Sequence, residues 1–451
     1  MGRIRLIFLI VLFLSANHES FCQKVLDEYV AMGLERNLAL KQKAADYSRS
    51  IESLREAKGL FYPGLSLNAR YTVSQGGRVI EFPIGDMLNP VYTTLNALTS
   101  SNAFPLVENS EIRFLRPTEH ETKLRLIQPV INTDIYYNSR ITKELSVFEQ
   151  HDYEQYRREL VAEIKKSYFN AAMTSSVLRM LEQTRPLLDE NIRVNRKLVE
   201  NGKAVPDFVF RSEAELAKFD QEVQVAVKNS KLAVAYFNFL LNRPLGDSII
   251  FQEPSDYPSI TGLTSTYVEP ALANREEIKK LENYRNVTDY QIRMSKSGVY
   301  PEVFLAVDYG FQGETYRFNN NTDYVQASAV LSWNIFSGWK NRTRVRQAII
   351  DKSIVEDKLE ETRKQIELQV INSLNELMSA EKAISAAELQ LKNSREAFRL
   401  VSRRYNEGQA SLIEFIDARS TLTQSEENLI IRKYTYLSVF AEFEKITVSG
   451  L

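Results

Sequence analysis

The sequence predicts an α+β membrane protein in which a few β-strands, too few to close a barrel in one chain, are joined to very long helices. Three observations carry this expectation. Period-two segments of membrane-spanning length occur at 65–74, from about 122 to 129, at 303–311 and at 325–335. Two helical patterns, 134–201 and 340–407, are far longer than a compact domain accommodates. The order helix, strand, strand, long helix, glycine break, returning helix occurs twice.

Residues 1–22 read as a signal peptide. Arg3 and Arg5 give the positive start, and Leu6 to Leu14 form an apolar run too short to span a bilayer. Ser20 and Cys22 stand at −3 and −1 of a cut before Gln23. Acylation of Cys22 is disfavoured by the bulky Phe21 before it. The rest of the chain has no cysteine, so disulfides and thiolate metal sites are not expected there. Net charge is −1, which gives no basic field for nucleic acid. No apolar run after residue 22 is long enough for a transmembrane helix, so a membrane location requires a β-barrel.

Leu26, Val30, Leu34 and Leu38 recur at four-residue spacing and predict a helix over 24–58. The FYPG at 61–64 breaks it. In 65–74, Leu65, Leu67, Ala69, Tyr71 and Val73 alternate with Ser66, Asn68, Arg70, Thr72 and Ser74. Residues 75–121, with Gly76, Gly77, Pro83, Gly85, Pro90 and Pro105, read as a long irregular insertion. Leu124 and Leu126 then face away from Lys123 and Arg125 in a second strand that ends at Gln128-Pro129. The helix over 134–201 is apolar at Leu145, Phe148, Leu160, Ile164, Tyr168, Leu178 and Leu181, with a kink or local unwinding expected at Pro186. Such a helix is roughly 100 Å long and needs partners along its length. Gly202 stops it, and a return helix covers 207–241.

From Pro270 the order recurs. A helix over 271–297 leads through VYPEV into a hairpin at 303–335 and a long helix over 340–407, with Ile384, Leu391 and Phe398 at heptad spacing. Gly408 is the second break, and a return helix covers 411–446. The expected organisation is therefore signal peptide 1–22, first repeat 23–242 with its hairpin at 65–130, linker 243–270 and second repeat 271–451. The first hairpin is longer by an insertion of roughly 33 residues. Laid over each other without a gap, Leu198–Leu216 and Arg404–Leu422 bring Gly202 onto Gly408 and Ala204 onto Ala410.

Four strands cannot close a membrane barrel, which needs at least eight, and open edges are forbidden in lipid. Two chains would supply eight strands and three would supply twelve. Tyr71, Tyr309, Tyr324 and Trp333 near strand ends suit an interfacial aromatic girdle. Arg70 and Asp308 fall on the face that would line the lumen. Both long helices start where a hairpin ends, so they hang from one side of the membrane.

These residues resemble the TolC-type outer-membrane efflux proteins, the outer membrane factors. The resemblance rests on the duplicated order, on Tyr-Pro before the first and third strands, and on Gln128-Pro129 and Trp333-Asn334…Phe336-Ser337-Gly338 after the second and fourth. Above all it rests on Tyr405-x-x-Gly408 followed by Ile413-x-x-Ile416-Asp417-Ala418. It implies a homotrimeric twelve-stranded barrel in the bacterial outer membrane, continuous with a coiled-coil tunnel in the periplasm. It also implies an export channel that takes substrate from a periplasmic adaptor (membrane fusion) protein and an inner-membrane transporter. The family's acidic gate positions fall on Glu414 and Asp417, its gate tyrosine on Tyr405, and the adaptor-contacting tips on Gly202 and Gly408. Some members lock the gate with an arginine after the second tip glycine and an aspartate after the first; Ala410 and Phe208 stand there.

No enzymatic chemistry is expected. The histidines, His18, His120 and His151, are far apart, and neither a phosphate-binding glycine loop nor an HExxH motif occurs. No metal or cofactor is expected. The rival expectation is a secreted or surface-anchored coiled-coil structural protein. It leaves four duplicated strands of membrane length without a purpose.

Overall fold

The computed structural model describes residues 21–252, 257–258 and 263–448. Nearly all of the expected signal peptide, and parts of the expected linker at 243–270, lie outside the described residues. In chain order the elements are α1 Phe21–Arg36, α2 Leu38–Gly59, β1 Gly64–Val73, β2 Val79–Phe82, α3 Ile84–Thr99, β3 Ser110–Arg113, β4 Thr118–Ile131, α4 Thr133–Glu200 and α5 Asp207–Leu240. They continue with α6 Ser265–Asn274, α7 Glu276–Ser297, β5 Glu302–Gly313, β6 Asp323–Ser332, α8 Lys340–Asn406 and α9 Leu412–Thr447. Two compact units result. One takes the chain up to Glu52, Lys143–Thr288 and Ile350 onward; the other takes Ser53–Thr142 and Asp289–Ile349.

In the helical unit most positions of the apolar stripes predicted from spacing face the packing, but Leu38 and Leu145, expected in those stripes, are exposed, and Leu40 is buried beside Leu38 instead. Leu160, Ile164 and Tyr168 of α4 meet Leu26, Tyr29, Leu40, Phe237 and Leu241. Leu181 and Leu188 meet Phe219 and Val223 of α5. Ala172 meets Leu374, Leu377 and Ile384 of α8 and Tyr434, Leu437 and Phe443 of α9. Each large side chain fully buried in this way contributes about 1.5–3 kcal/mol. α4 is continuous through Pro186, so no local unwinding interrupts it. The single helix expected over 24–58 is instead two. Asn37 accepts from the Leu40 amide at 3.0 Å and donates to the Leu240 carbonyl at 2.8 Å, capping α2 and tying it to the end of α5. Similarly, the expected helix over 271–297 divides at Arg275, whose extended backbone ends α6 before α7 begins. Pro270, expected in the linker, lies inside α6.

The other unit holds an antiparallel sheet in the order β1-β4-β5-β6. Its register puts Leu67 opposite Leu124, Leu124 opposite Tyr309 and Tyr309 opposite Val325. The pleat therefore gathers these side chains on one face, and all of them are exposed to solvent in the single chain. The opposite face is a charge ladder. Arg125 grips Asp308 with two hydrogen bonds, 2.8 and 2.6 Å, and Lys123 reaches Glu121 at 2.8 Å. Tyr324, expected in an interfacial girdle, is on this polar face, where its hydroxyl donates to Glu121 at 2.7 Å. Trp333 lies past the end of β6, which stops at Ser332 and short of the expected 335; its indole N–H donates to the Val299 carbonyl.

The insertion at 75–121 is ordered, contrary to the irregular loop expected from its glycines and prolines. β2 and β3 pair as a short ribbon, α3 lies between them, and β4 begins at Thr118 instead of about 122.

Candidate functional site

The two tips singled out by the sequence are built on the same turn. At the first, the Lys203 amide donates to the Leu198 carbonyl at 2.8 Å and the Gly202 amide to Val199 at 2.9 Å. At the second, Gln409 donates to Arg404 at 2.7 Å and Gly408 to Tyr405 at 3.0 Å. This paired pattern is the Schellman motif, which closes a helix C-terminus through one left-handed residue. Gly202 and Gly408 supply it, with φ of 69° and 73°. A side chain at either position would strain the turn.

Beyond the turn the second tip is strongly capped. The Ser411 hydroxyl accepts from the Glu414 amide at 3.2 Å, and the Glu414 carboxylate accepts from the Ser411 amide at 3.3 Å. This reciprocal capping box starts α9. Hydrogen bonds from the Ser411 backbone and then its hydroxyl hold the Glu414 carboxyl below the usual glutamate range, with a smaller contribution from Arg404, 3.8 Å away. Asp417, one turn further along, is exposed. Glu414 and Asp417 therefore share one side of the helix, as their spacing predicts, but only Glu414 has a local structural task.

Tyr405 is buried, and it is a joint between hairpins. Its hydroxyl donates to Asn195 Oδ1 of α4 at 2.5 Å, and its ring stacks on Phe415 at 4.8 Å. Burial pushes its hydroxyl pKa up. Asn195 is 0% exposed and donates in turn to the Ser212 hydroxyl of α5 at 2.7 Å. Phe208 and Ala410 pack against the cluster of Tyr405, Leu412 and Phe415. The two positions where the resemblance would place an ion-pair lock thus both border one apolar cluster. One turn deeper, Arg419 of α9 is 5% exposed and bonds Glu215 of α5 at 2.5 Å. Its guanidinium also lies over the Phe219 ring, 6.0 Å from the centroid.

Asn195, Ser212, Glu215 and Arg419 were not among the residues singled out from sequence. The available signal was Asn195 lying between Ile192 and Val199 on an apolar stripe, where a polar residue requires a partner. Among the described residues no cluster of His, Cys, Asp and Glu has the geometry of a metal site.

Residues 267–447 match the outer membrane efflux protein family. The chain is 19% identical over 428 residues to the outer membrane protein TolC of Salmonella enteritidis, covering 89% of this chain and 77% of that one. It is 20% identical over 334 residues to the alkaline protease secretion protein AprF of Pseudomonas aeruginosa, covering 70% and 67%. Its fold is similar to that of the Campylobacter jejuni CmeC outer membrane channel, with a TM-score of 0.77 at 16% identity over 94% of this chain and 86% of that one.

Proposed function

We propose that this chain, which matches the outer membrane efflux protein family over residues 267–447, is a TolC-type protein of which three copies form one export channel across the outer membrane. The observation that carries this reading is the four-stranded sheet with one exposed apolar face, one charged face and unpaired outer edges on β1 and β6. An open edge in lipid leaves unsatisfied backbone groups, each costing several kcal/mol. Pairing β6 of one copy with β1 of the next removes the edges, and three copies give a twelve-stranded barrel with the apolar face toward lipid. The two halves of each chain are copies of one ancestral unit on this reading. The long helices form a periplasmic tunnel, and the turns at Gly202 and Gly408 are the surface that a periplasmic adaptor grips. Substrate arrives there from an inner-membrane transporter.

At the tips, Glu414 and Asp417 of three copies place six carboxylates around the entrance and favour cations. The apolar contact around Phe208 and the Tyr405–Asn195 hydrogen bond hold the entrance shut, in place of an arginine–aspartate lock. The test is light scattering of detergent-solubilised protein together with planar-bilayer recording. A conducting trimer is expected; a conducting dimer would overturn the twelve-strand count, and a non-conducting protein recovered from the soluble fraction would overturn the channel.

A further inference from the structure

The insertion after β1 is a rigid module with an apolar face turned outward. Three asparagines build it. Asn89 and Asn96 of α3, seven residues apart, each exchange two hydrogen bonds with the loop beyond the helix. Asn89 bonds the Val107 carbonyl and amide at 3.0 and 2.8 Å, and Asn96 bonds those of Phe104 at 2.7 and 3.0 Å. Asn109 closes the far end on Asp86, accepting from its amide at 3.2 Å and donating to its carboxylate at 3.1 Å. Gly85 is buried against Val107, and a Cβ there would collide with the Val107 carbonyl. Tyr92 packs on Phe104 with ring centroids 5.9 Å apart.

Gly85, Asn89, Tyr92 and Asn96 occupy one side of α3. By the 100° step of a helix, Met87, Val91 and Leu98 form a stripe on the opposite side. They are exposed by 72%, 52% and 77%. A helix pinned so firmly along one side, with an unpartnered apolar stripe along the other, marks an interaction surface.

Charge and position identify the occupant. Residues 79–112 contain Glu81, Asp86, Glu108 and Glu111 and no lysine or arginine. Helices that lie on anionic membrane surfaces carry cations, so a lipid headgroup layer is a poor partner. The stripe itself carries no charge. Identical copies can therefore meet along it without facing like charges. The module also grows straight out of the edge strand. The Ser74 amide donates to the Pro117 carbonyl and the Phe114 amide to Arg78, extending the β1–β4 ladder into the β2–β3 ribbon. On the barrel reading above, on which this inference rests, that edge is where one copy meets the next.

We propose that the α3 stripes of the three copies pack on one another at the end of the barrel away from the helices, forming an apolar lid over its exit. Hairpin ends at this position would then constitute a second closure, independent of the helical tips.

The test uses the full-length protein in outer membranes, with Cys22→Ser and single cysteines introduced by Leu98→Cys or, as a second site, Met87→Cys. Both side chains are exposed, so neither change should disturb folding. A short bis-maleimide is expected to shift the band on a denaturing gel from monomer to dimer at both positions. Thr93→Cys, on the flank of α3, is expected to give no shift. A trimer by light scattering that fails to cross-link at both stripe positions would overturn the lid while leaving the channel standing. A spin label attached to the Leu98→Cys variant and relaxed by a lipid-phase reagent would overturn it in favour of the membrane surface. A protein that is not oligomeric would overturn the barrel reading as well.

Discussion

At the first tip the chain enters α5 through Val205 and Pro206 with no side-chain cap, and its ion pair, Arg211 with Asp207, is exposed on one helix. At the second, Ser411 and Glu414 close a capping box, and Arg419, two turns on, is buried against the other hairpin. The turns themselves are equivalent to within 0.1 Å in their hydrogen bonds. The difference lies in the residues that come after the glycine. One tip ends in apolar and locally paired residues; the other carries fixed charge and the cross-hairpin joints. The two tips thus share the conformationally demanding glycine and differ where side chains reach a neighbour. Fixed geometry is conferred by backbone hydrogen bonds, which many sequences can flank; pairing between hairpins depends on particular side chains.

This asymmetry can be broken most severely at Arg419. Arg419→Ala leaves Glu215 without its partner in a largely dehydrated place and is expected to cost about 3 kcal/mol. Arg211→Ala, at the exposed pair of the first tip, is expected to cost no more than about 0.5 kcal/mol. Hydrogen exchange of the α5 and α9 amides compares the two, and equal losses would erase the distinction between the tips. Next comes Tyr405→Phe. It strands the buried Asn195 Oδ1 and should cost about 1–2 kcal/mol. Faster proteolysis at 404–411 with little change at 198–205 is the expected pattern.

Ser411→Ala removes the cap and should cost about 1 kcal/mol. The same box gives the second tip a pH dependence. Because the folded-state pKa of Glu414 is depressed, its stabilising contribution is present above the ordinary glutamate range and is lost as pH falls through the depressed value. Hydrogen exchange at 411–416 should therefore quicken in acid, and this acceleration should shrink in Ser411→Ala. The smallest expected effect is electrical. Glu414→Gln with Asp417→Asn should reduce cation preference in reversal-potential measurements, and an unchanged potential would remove both residues from the conduction path.

Much of the fold was legible because its signals are periodic. The alternation in 65–74 and 303–311 determined which side chains share a sheet face, and the register then paired Arg125 with Asp308 across neighbouring strands. Long helices were legible for the same reason. Asn37 was not, because Leu34 and Leu38 keep the helical spacing across the break, and only the distant Leu240 carbonyl reveals why the chain turns there. The insertion misled for a different reason. Pro83, Gly85 and Pro90 read as loop residues, yet Pro83 precedes the helix, Gly85 is the residue that lets Val107 approach, and Pro90 lies nearly two turns inside. At the site, the glycines and the acidic pair follow from local patterns. Asn195 and Arg419 act through partners 210 and 204 residues away in the chain, a separation that one-dimensional spacing does not encode.

The unfinished sheet has a consequence for the life of the molecule before it reaches its destination. A lone chain presents bare backbone edges at β1 and β6 and a greasy surface between them, the combination that invites wrongful strand pairing. Water disfavours the surface and lipid disfavours the edges, so a single copy is at home in neither. On the proposed barrel, joining of copies removes the bare edges and the exposed apolar surface in one step.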